Sequence, residues 1–554
     1  MPVTAEEGPA PRRGNRFDLS DLANLRLPPE TRKRGGAVLA ILATLLVIGA
    51  ASAVAYSMAM RLPLSHDEHQ FVAGGWLLGK YGMLPYRDFP FHHLPNLLFF
   101  YAALGQLSSA PLWNARVMSV VFSAATFALI YQYAWRGERG ASGWTMGGVA
   151  TCLLLFSPLF EYTSGRAWNH ALPTLLAVAA FVVHVRAGSQ LFRLRGWVWS
   201  GMLLGLAVGA RATYLLAAVP FLAFILSSQP RGFRIRPAAV FVVGLMFGLL
   251  PSAVLFGLAP RQFAYGNLIY QILNTRYRRA LGITGAMTLP GKLAYLQEDV
   301  LSEPAQSLLF GSFLVVVVAA AVLSRRRPRV AGREFWLASG VAAFLGLSAL
   351  VPTPAWVQYF YAPVPFIALA LAIYLVEVGP GFPLGKLLAG LLVAAMVLLR
   401  VEALRGIRLI FEPEAWVPAQ VHALGAAVSG PAGGGRLLTL APIVAVEGGL
   451  EIYPELVGGS FDWRVARSFS ADRRAVYGLM APEDLETVLA NRPPVGILVG
   501  FEAKNEGFSP NEMGGLEQPL QAIADLQGYW PEAFISPVVT TGLTLWVAPD
   551  RGGD

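Results

Sequence analysis

Apolar runs of about twenty residues recur along most of this chain, separated by short polar connections. A helix rises about 1.5 Å per residue, so about 20 apolar residues match the roughly 30 Å hydrocarbon layer of a bilayer. The pattern predicts eleven spans, near 36–60, 115–135, 142–160, 171–187, 197–211, 213–228, 238–257, 305–323, 336–351, 357–377 and 387–409. The pair 197–211 and 213–228 is short enough to read also as one bent element. A polar tail rich in Pro and Arg, residues 1–35, precedes the first span and is expected to be cytoplasmic and disordered. The apolar run after it is too long for the core of a cleavable signal peptide. Beyond residue 409 the character changes: charge rises, and β-like runs at 436–440, 495–500 and 543–548 alternate with helical patterns such as 482–490. The expected architecture is an α-helical polytopic membrane domain, 36–409, with long outer connections 61–114 and 258–304, followed by a small α/β extracytoplasmic domain, 410–554.

Composition agrees with that picture. Of 554 residues, 55% are hydrophobic and 14% charged, against about 25% charged in a soluble protein. The formal charge of +9 does not signal a nucleic-acid partner, because its distribution follows the membrane. The predicted inner segments 1–35, 136–141, 186–196, 228–237, 324–335 and 378–386 hold 21 of the 43 Lys and Arg in under a fifth of the chain. That is the positive-inside bias of a protein in the cytoplasmic (inner) membrane, and it puts residues 410–554 outside. The single Cys152 lies in an apolar run and reads as a packing residue. Within the predicted spans only Glu377 and Glu402, both near ends, are acidic, and His184 and Arg211 are the ionisable residues nearest the interior. A transporter or flippase of a lipid-linked saccharide needs charges along its pathway, so that alternative finds little support.

The densest chemistry is in 61–114. Asp67 and Glu68 are adjacent and flanked by His66 and His69; Tyr86, Arg87 and Asp88 follow, then His92 and His93. Four of the seven histidines fall here, and a non-catalytic assembly protein would leave the cluster without a purpose. Asp67 and Glu68 also suit the first turn of a helix, where acids are favoured. His66, Asp67, Glu68 and His69 offer nitrogen and oxygen ligands for a possible divalent metal ion, although the HExxH arrangement is missing. In residues 410–554 there is neither GxGxxG nor GxxxxGK.

The acidic pair, the stretch Gly82 to Asp88 (GMLPYRD) and His92 to Pro95 resemble the GT-C fold glycosyltransferases that use polyprenyl-phosphate sugars, the group of the protein O-mannosyltransferases and lipid A aminoarabinose transferases. The segment 352–366 is similar to that group's late outer turn. The resemblance covers roughly 36–380 and implies a membrane-bound enzyme. It would transfer a monosaccharide from a lipid phosphate to a glycan, lipid or protein acceptor on the extracytoplasmic face, with inversion. It implies Asp67 as general base, with Glu68 orienting the acceptor or holding a metal. A lipid phosphate is already a good leaving group, so no strong general acid is required, unlike the glycosidase arrangement. The departing phosphate needs cations. Arg87 leads, because arginine's planar fork binds two oxygens, and its rival role is a pair with Asp88. Lys80 and Arg166 are further candidates; Arg116 reads as a helix anchor and Arg211 as a snorkelling residue. Tyr86, Asp88, His92 and His93 are expected to bind sugar or phosphate. Relatives often carry an acid near Asn169; here Glu161 is the nearest substitute, in a turn with Tyr162 and His170. Tyr265, Tyr270, Arg276, Arg278, Arg279, Glu298 and Asp299 are placed to cover the cleft from 258–304.

Overall fold

Each predicted apolar run becomes a helix or a bent helix pair in the computed structural model. It describes residues 29–105, 107–135, 139–189, 194–326, 331–378, 382–502, 515–534 and 542–549. The expected disordered tail lies, up to residue 28, outside the described residues. Among the described residues five unbroken helices are long and apolar enough to cross a membrane: Ala40–Arg61, Pro111–Ala134, Ala171–Gly188, Pro304–Arg325 and Val357–Glu377. Three more spans are bent pairs: Ser142–Leu155 with Pro158–Ser164, Ile235–Gly248 with Leu250–Leu258, and Pro383–Leu399 with Val401–Phe411. The shorter Leu194–Val208, Ala212–Ser228 and Arg333–Ala349 complete about eleven. The two short helices are separate elements, divided at Gly209-Ala210-Arg211.

The bends have local causes. Pro158 opens the helix after the 70° bend, and Pro251 stands second in the helix after the 49° bend; proline cannot donate to the preceding turn. The third bend, 65°, has no proline. There Arg400 leaves the helical region (φ −122°, ψ 26°) and its guanidinium pairs with Glu161, which Arg61 also binds. Glu161 is thereby a clasp joining three spans, with both of its oxygens bound by arginine.

Burial separates lipid-facing from central helices. Only 17% of the apolar window in Pro304–Arg325 is buried, and Leu314, Val315, Val318 and Val322 form an exposed stripe at helical spacing. In Val357–Glu377 the figure is 94%, so this helix is the centre of the bundle. Leu194–Val208 and Ile235–Gly248 meet backbone to backbone. A Cβ on Gly205 would lie 2.1 Å from the Leu245 carbonyl oxygen, and one on Gly244 2.1 Å from that of Val198. Small residues four apart on both helices permit this approach. Gly205→Leu is therefore expected to lower the thermal unfolding temperature in detergent, at a cost of about 1–3 kcal/mol; an unchanged melting temperature would contradict the contact. His184 ties the same bundle, its Nδ1 2.9 Å from Ser200 Oγ and its Nε2 3.1 Å from the Phe221 carbonyl.

The described residues from 410 onward include a five-stranded sheet. The strands are β1 (Arg436–Thr439), β2 (Glu451–Ile452), β3 (Gly496–Val499), β4 (Trp530–Phe534) and β5 (Leu543–Val547), in the order β2-β1-β3-β5-β4. β1 pairs in parallel with β2 and β3; β5 pairs antiparallel with β3 and β4. Both faces are buried, and alternation assigns them. Leu438, Ile497 and Trp546 point into the domain's own core with Tyr453 and Leu485. Their neighbours Leu437, Leu498 and Leu545 join a second core with Phe71, Val72 and Leu98 of the 61–114 connection. One half of this domain's hydrophobic surface is thus completed by that connection. All these contacts lie within Ile48–Asp554, one compact unit.

Glu447 adds a polar joint. It accepts the Leu112 N–H at 2.7 Å, at the start of Pro111–Ala134, and lies 2.7 Å from His422 Nδ1. Burial raises its carboxyl to about 7, against the opposing pull of these two partners. A carboxyl whose folded value lies above its unfolded value near 4.5 stabilises most below that lower value. The contribution is lost as pH rises toward about 7. Thermal unfolding is expected to show wild type losing stability between pH 5 and pH 8 relative to Glu447→Gln; parallel curves would remove Glu447 from the pH response.

Candidate active site

The helix His66–Tyr81 organises the site, and its first turn explains why the acidic pair divides in role. Ser65 caps it: Ser65 Oγ accepts the Asp67 N–H at 3.3 Å, and Glu68 Oε2 accepts the Ser65 N–H at 3.0 Å. This is a capping box. Glu68 is wholly buried, and both its oxygens are taken by the Arg116 fork, Nε to Oε1 at 2.9 Å and Nη2 to Oε2 at 2.8 Å. The Ala167 N–H also donates to Oε1 at 2.9 Å. Burial alone would raise this carboxyl; Arg116 and the two backbone donors outweigh it and hold the group below its ordinary value. The remaining Arg116 hydrogens reach the carbonyls of Ala59, Leu62 and Pro63 at 2.9, 2.7 and 3.2 Å. Both Glu68 oxygens are occupied by these donors, and the residue fastens the helix to the first span and to the turn at 167.

Asp67, one residue back, is rotated by about 100° and stays partly open, its side chain 26% exposed. Its Oδ1 is 3.3 Å from His66 Nε2. Asp67 lies within electrostatic reach of Arg211, Arg278 and Tyr359. The four residues 66–69 point in different directions around one helical turn, so they do not converge as the suggested metal quartet. Among the described residues no three His, Cys, Asp or Glu side chains gather as ligands. His69 packs edge-on against Phe501 at 4.9 Å, and burial, followed by the nearby His66, pulls it down to about 3.

The GMLPYRDF stretch is a self-bonded turn. Tyr86 adopts φ 69°, is buried against Phe263 at 4.7 Å, and donates its hydroxyl to the His93 carbonyl. Asp88 Oδ2 accepts the Leu84 N–H at 2.7 Å. Arg87 is exposed, with Nε and Nη2 on the two Asp88 oxygens at 2.9 and 2.7 Å. The rival reading of Arg87 therefore describes its geometry, and Tyr86 and Asp88 are parts of the turn. Lys80 sits 13 residues along the helix from Asp67, roughly 20 Å away at helical rise, over the rings of Trp76 and Tyr81. It does not share a site with Asp67. Arg166 is held between Tyr162 and Trp168, 4.7 and 4.8 Å from the ring centroids, with Nη1 on the Tyr162 carbonyl at 3.0 Å.

His92 and His93 do turn toward the site. His93 stacks on Phe71 at 5.2 Å, and burial, then Arg211 and His92, pulls its imidazole down to about 3, so it is neutral. His92 stacks on Tyr270 at 3.8 Å. Its Nε2 lies 2.9 Å from Asp462, whose other oxygen accepts the Tyr265 hydroxyl at 2.8 Å. Arg211 is no snorkelling residue: it is 8% exposed, its Nη1 2.8 Å from Asn169 Oδ1 and 3.2 Å from His170 Nε2, with Tyr359 beneath it at 5.3 Å. Arg278 covers Trp356 at 4.8 Å. Asp67 is thus within electrostatic reach of two arginines and a tyrosine from three separate parts of the chain.

The C-terminal domain supplies the last wall, which sequence reasoning missed. Helix Ser460–Ala466 brings Phe461 to 5.3 Å from His66 and Asp462 to His92. Gly459 makes the approach possible. With φ 61° it takes a left-handed turn, and a Cβ there would lie 2.4 Å from the Leu440 carbonyl oxygen and 3.3 Å from His69. The available signal was the run GGSFDWR at 458–464, two glycines before an unusually dense set of aromatic and charged residues.

Known proteins share the fold. Residues 92–256 match the dolichyl-phosphate-mannose-protein mannosyltransferase family. The crystal structure of ArnT from Cupriavidus metallidurans bound to undecaprenyl phosphate superposes with TM-score 0.58 at 12% identity, covering 94% of this chain and 99% of that one. Its apo state gives 0.58 and 12%, covering 94% and 100%. The chain has the GT-C fold. A fainter likeness, TM-score 0.47 at 12% identity over 92% of this chain and 75% of the other, is to the archaeal oligosaccharyltransferase AglB from Archaeoglobus fulgidus in complex with an inhibitory peptide and a dolichol-phosphate. No curated protein matches in sequence. The family match in this GT-C chain begins at His92 and takes in Arg166 and Arg211. Asp67 precedes it, and Arg278 and the Ser460–Ala466 helix follow it.

Proposed function

We propose that this GT-C protein transfers a monosaccharide from a polyprenyl phosphate to an acceptor hydroxyl at the extracytoplasmic face of the cytoplasmic membrane. The observation that carries the reading is Asp67: a partly open carboxylate at a capped helix start, within electrostatic reach of Arg211 and Arg278, with its neighbour Glu68 withdrawn into structure. Asp67 takes the acceptor proton as the hydroxyl oxygen attacks the anomeric carbon. The bond from that carbon to the phosphate oxygen breaks, and its electron pair leaves with the phosphate. One displacement inverts the anomeric centre. Arg211 and Arg278 offset the charge that develops on the leaving group, a role stronger in a dry site than in water. The neutral His93 and the tyrosines offer hydrogen bonds to sugar hydroxyls. The arginine-rich inner segments support the orientation.

The test is reconstitution. Purified protein in nanodiscs, given a panel of polyprenyl-phosphate monosaccharides and envelope extract as acceptor, is expected to release polyprenyl phosphate and form a glycoside of inverted configuration, read by mass spectrometry and NMR. Retention of configuration would remove the single displacement, and absence of binding to any polyprenyl phosphate would remove the donor class.

A further inference from the structure

Helix Ser460–Ala466 belongs to the C-terminal domain, yet its polar side chains serve the site formed by the membrane domain. Asp462 is wholly buried and holds His92 and Tyr265. Arg464, two residues on, is 7% exposed; its Nη2 reaches the Tyr270 hydroxyl at 3.3 Å, and its guanidinium carbon lies 4.6 Å from the Phe461 ring centroid. Its Nε is buried with no hydrogen-bond partner, and among the described residues no carboxylate stands within ion-pair distance of it. Arg278 lies two turns beyond Tyr270 on the helix Tyr270–Ala280, within electrostatic reach of both Arg464 and Asp67. Burial, and next the like charge of Arg464, pull the Arg278 guanidinium down to about 10. Two buried guanidiniums within electrostatic reach of each other repel, and an unpartnered N–H in a dry region is costly. An anion between them relieves both penalties.

We propose that Arg464 and Arg278 together receive the leaving phosphate of the lipid-linked donor, so that the C-terminal domain supplies a group to the transfer step itself. The inference rests on the reading of the site as a polyprenyl-phosphate sugar transferase. In that reaction the donor phosphodiester carries one negative charge. When the anomeric carbon–oxygen bond breaks, the electron pair stays on the phosphate, which becomes a dianion, and the acceptor proton passes to Asp67. A fixed cation at that phosphate gains more from the product than from the donor, and so favours the transition state over the ground state. Arg464 then distinguishes a dianionic from a monoanionic phosphate, which a purely structural arginine does not.

The experiment uses the full-length protein in nanodiscs at pH 8, with undecaprenyl phosphate as dianionic probe and its methyl phosphodiester as monoanionic probe. Arg464→Gln keeps a donor toward Tyr270 but removes the charge. It is expected to weaken undecaprenyl phosphate by about tenfold or more, and the diester by at most about threefold. Where the glutamine variant does not fold, Arg464→Met, which keeps the apolar stem and removes the charge, carries the same comparison. Wild-type binding of both probes with an unshifted ratio in either folded variant overturns the assignment. A wild-type protein that binds neither probe overturns the reading of the site instead, so the two failures are distinguishable.

Discussion

Asp67→Asn is expected to lower transfer by about 10²–10⁴-fold while leaving polyprenyl-phosphate binding within a few-fold of wild type. The size follows from general-base loss. Asparagine keeps the volume and one hydrogen-bond-accepting oxygen, so the contact with His66 and the first helical turn survive; what disappears is the basic lone pair. Binding survives because the groups assigned to the phosphate lie on other elements: Arg211 between two short helices, Arg278 on Tyr270–Ala280. The variant therefore splits kcat from KM, which marks an interaction made in the transition state. Single-turnover transfer of a radiolabelled donor, beside equilibrium binding of the product lipid, measures both arms. Near wild-type turnover in a folded Asp67→Asn protein would remove the base. A loss confined to binding would turn Asp67 into a ligand-positioning residue.

How far the sequence led can be judged residue by residue. The spans were legible because a bilayer allows few solutions: apolar runs of fixed length must become helices, and the bends at Pro158 and Pro251 carry their own marks. The strands at 436–440, 495–500 and 543–548 were legible from local composition, and they match β1, β3 and β5 closely. Asp67 was singled out because it stands in a short motif. How the cations are partnered was not legible for a physical reason: a motif shows which residues are neighbours in the chain, not which of them has already found a partner. Arg87 sits in the motif and spends both prongs on Asp88, whereas Arg211 and Arg278 come from distant segments and converge only when the helices pack. The boundary at 410 hid a similar fact. Leu437, Leu498 and Leu545 are core residues of the C-terminal sheet, but their packing partners are in 61–114. No periodicity within either segment can announce a core shared between them.

The same reasoning gives the largest stability effect to a residue that sequence reading treated as a mere helix anchor. Arg116 is wholly buried and makes five hydrogen bonds, two to Glu68 and three to carbonyls at 59, 62 and 63, where the first span gives way to the loop helix. Arg116→Met removes the fork and leaves the Glu68 carboxylate buried with only the Ser65 and Ala167 N–H groups. Losing one partner of a buried pair costs about 3–5 kcal/mol, a large share of the 5–15 kcal/mol that holds a typical domain. Glu68→Ala strands the arginine instead and is expected to be similarly severe. The double variant Glu68→Leu/Arg116→Met replaces both charges by apolar groups and is expected to recover part of the loss, since it leaves no buried charge unpaired, though the three carbonyls lose their donor. The measurement is folded yield and thermal unfolding in detergent for the two single variants and the double. Equal stability of Arg116→Met and wild type would show that the pair does not hold the loop helix. A double variant no better than the worse single would place the loss in the orphaned carbonyls rather than in the stranded charge. Since Glu68 is the residue that fixes the helix turn carrying Asp67, any variant of the pair that remains folded is also expected to transfer sugar more slowly. Such a variant fails in positioning rather than in proton transfer, so a pH–rate profile of unchanged shape with a lowered maximum separates it from the loss of the base.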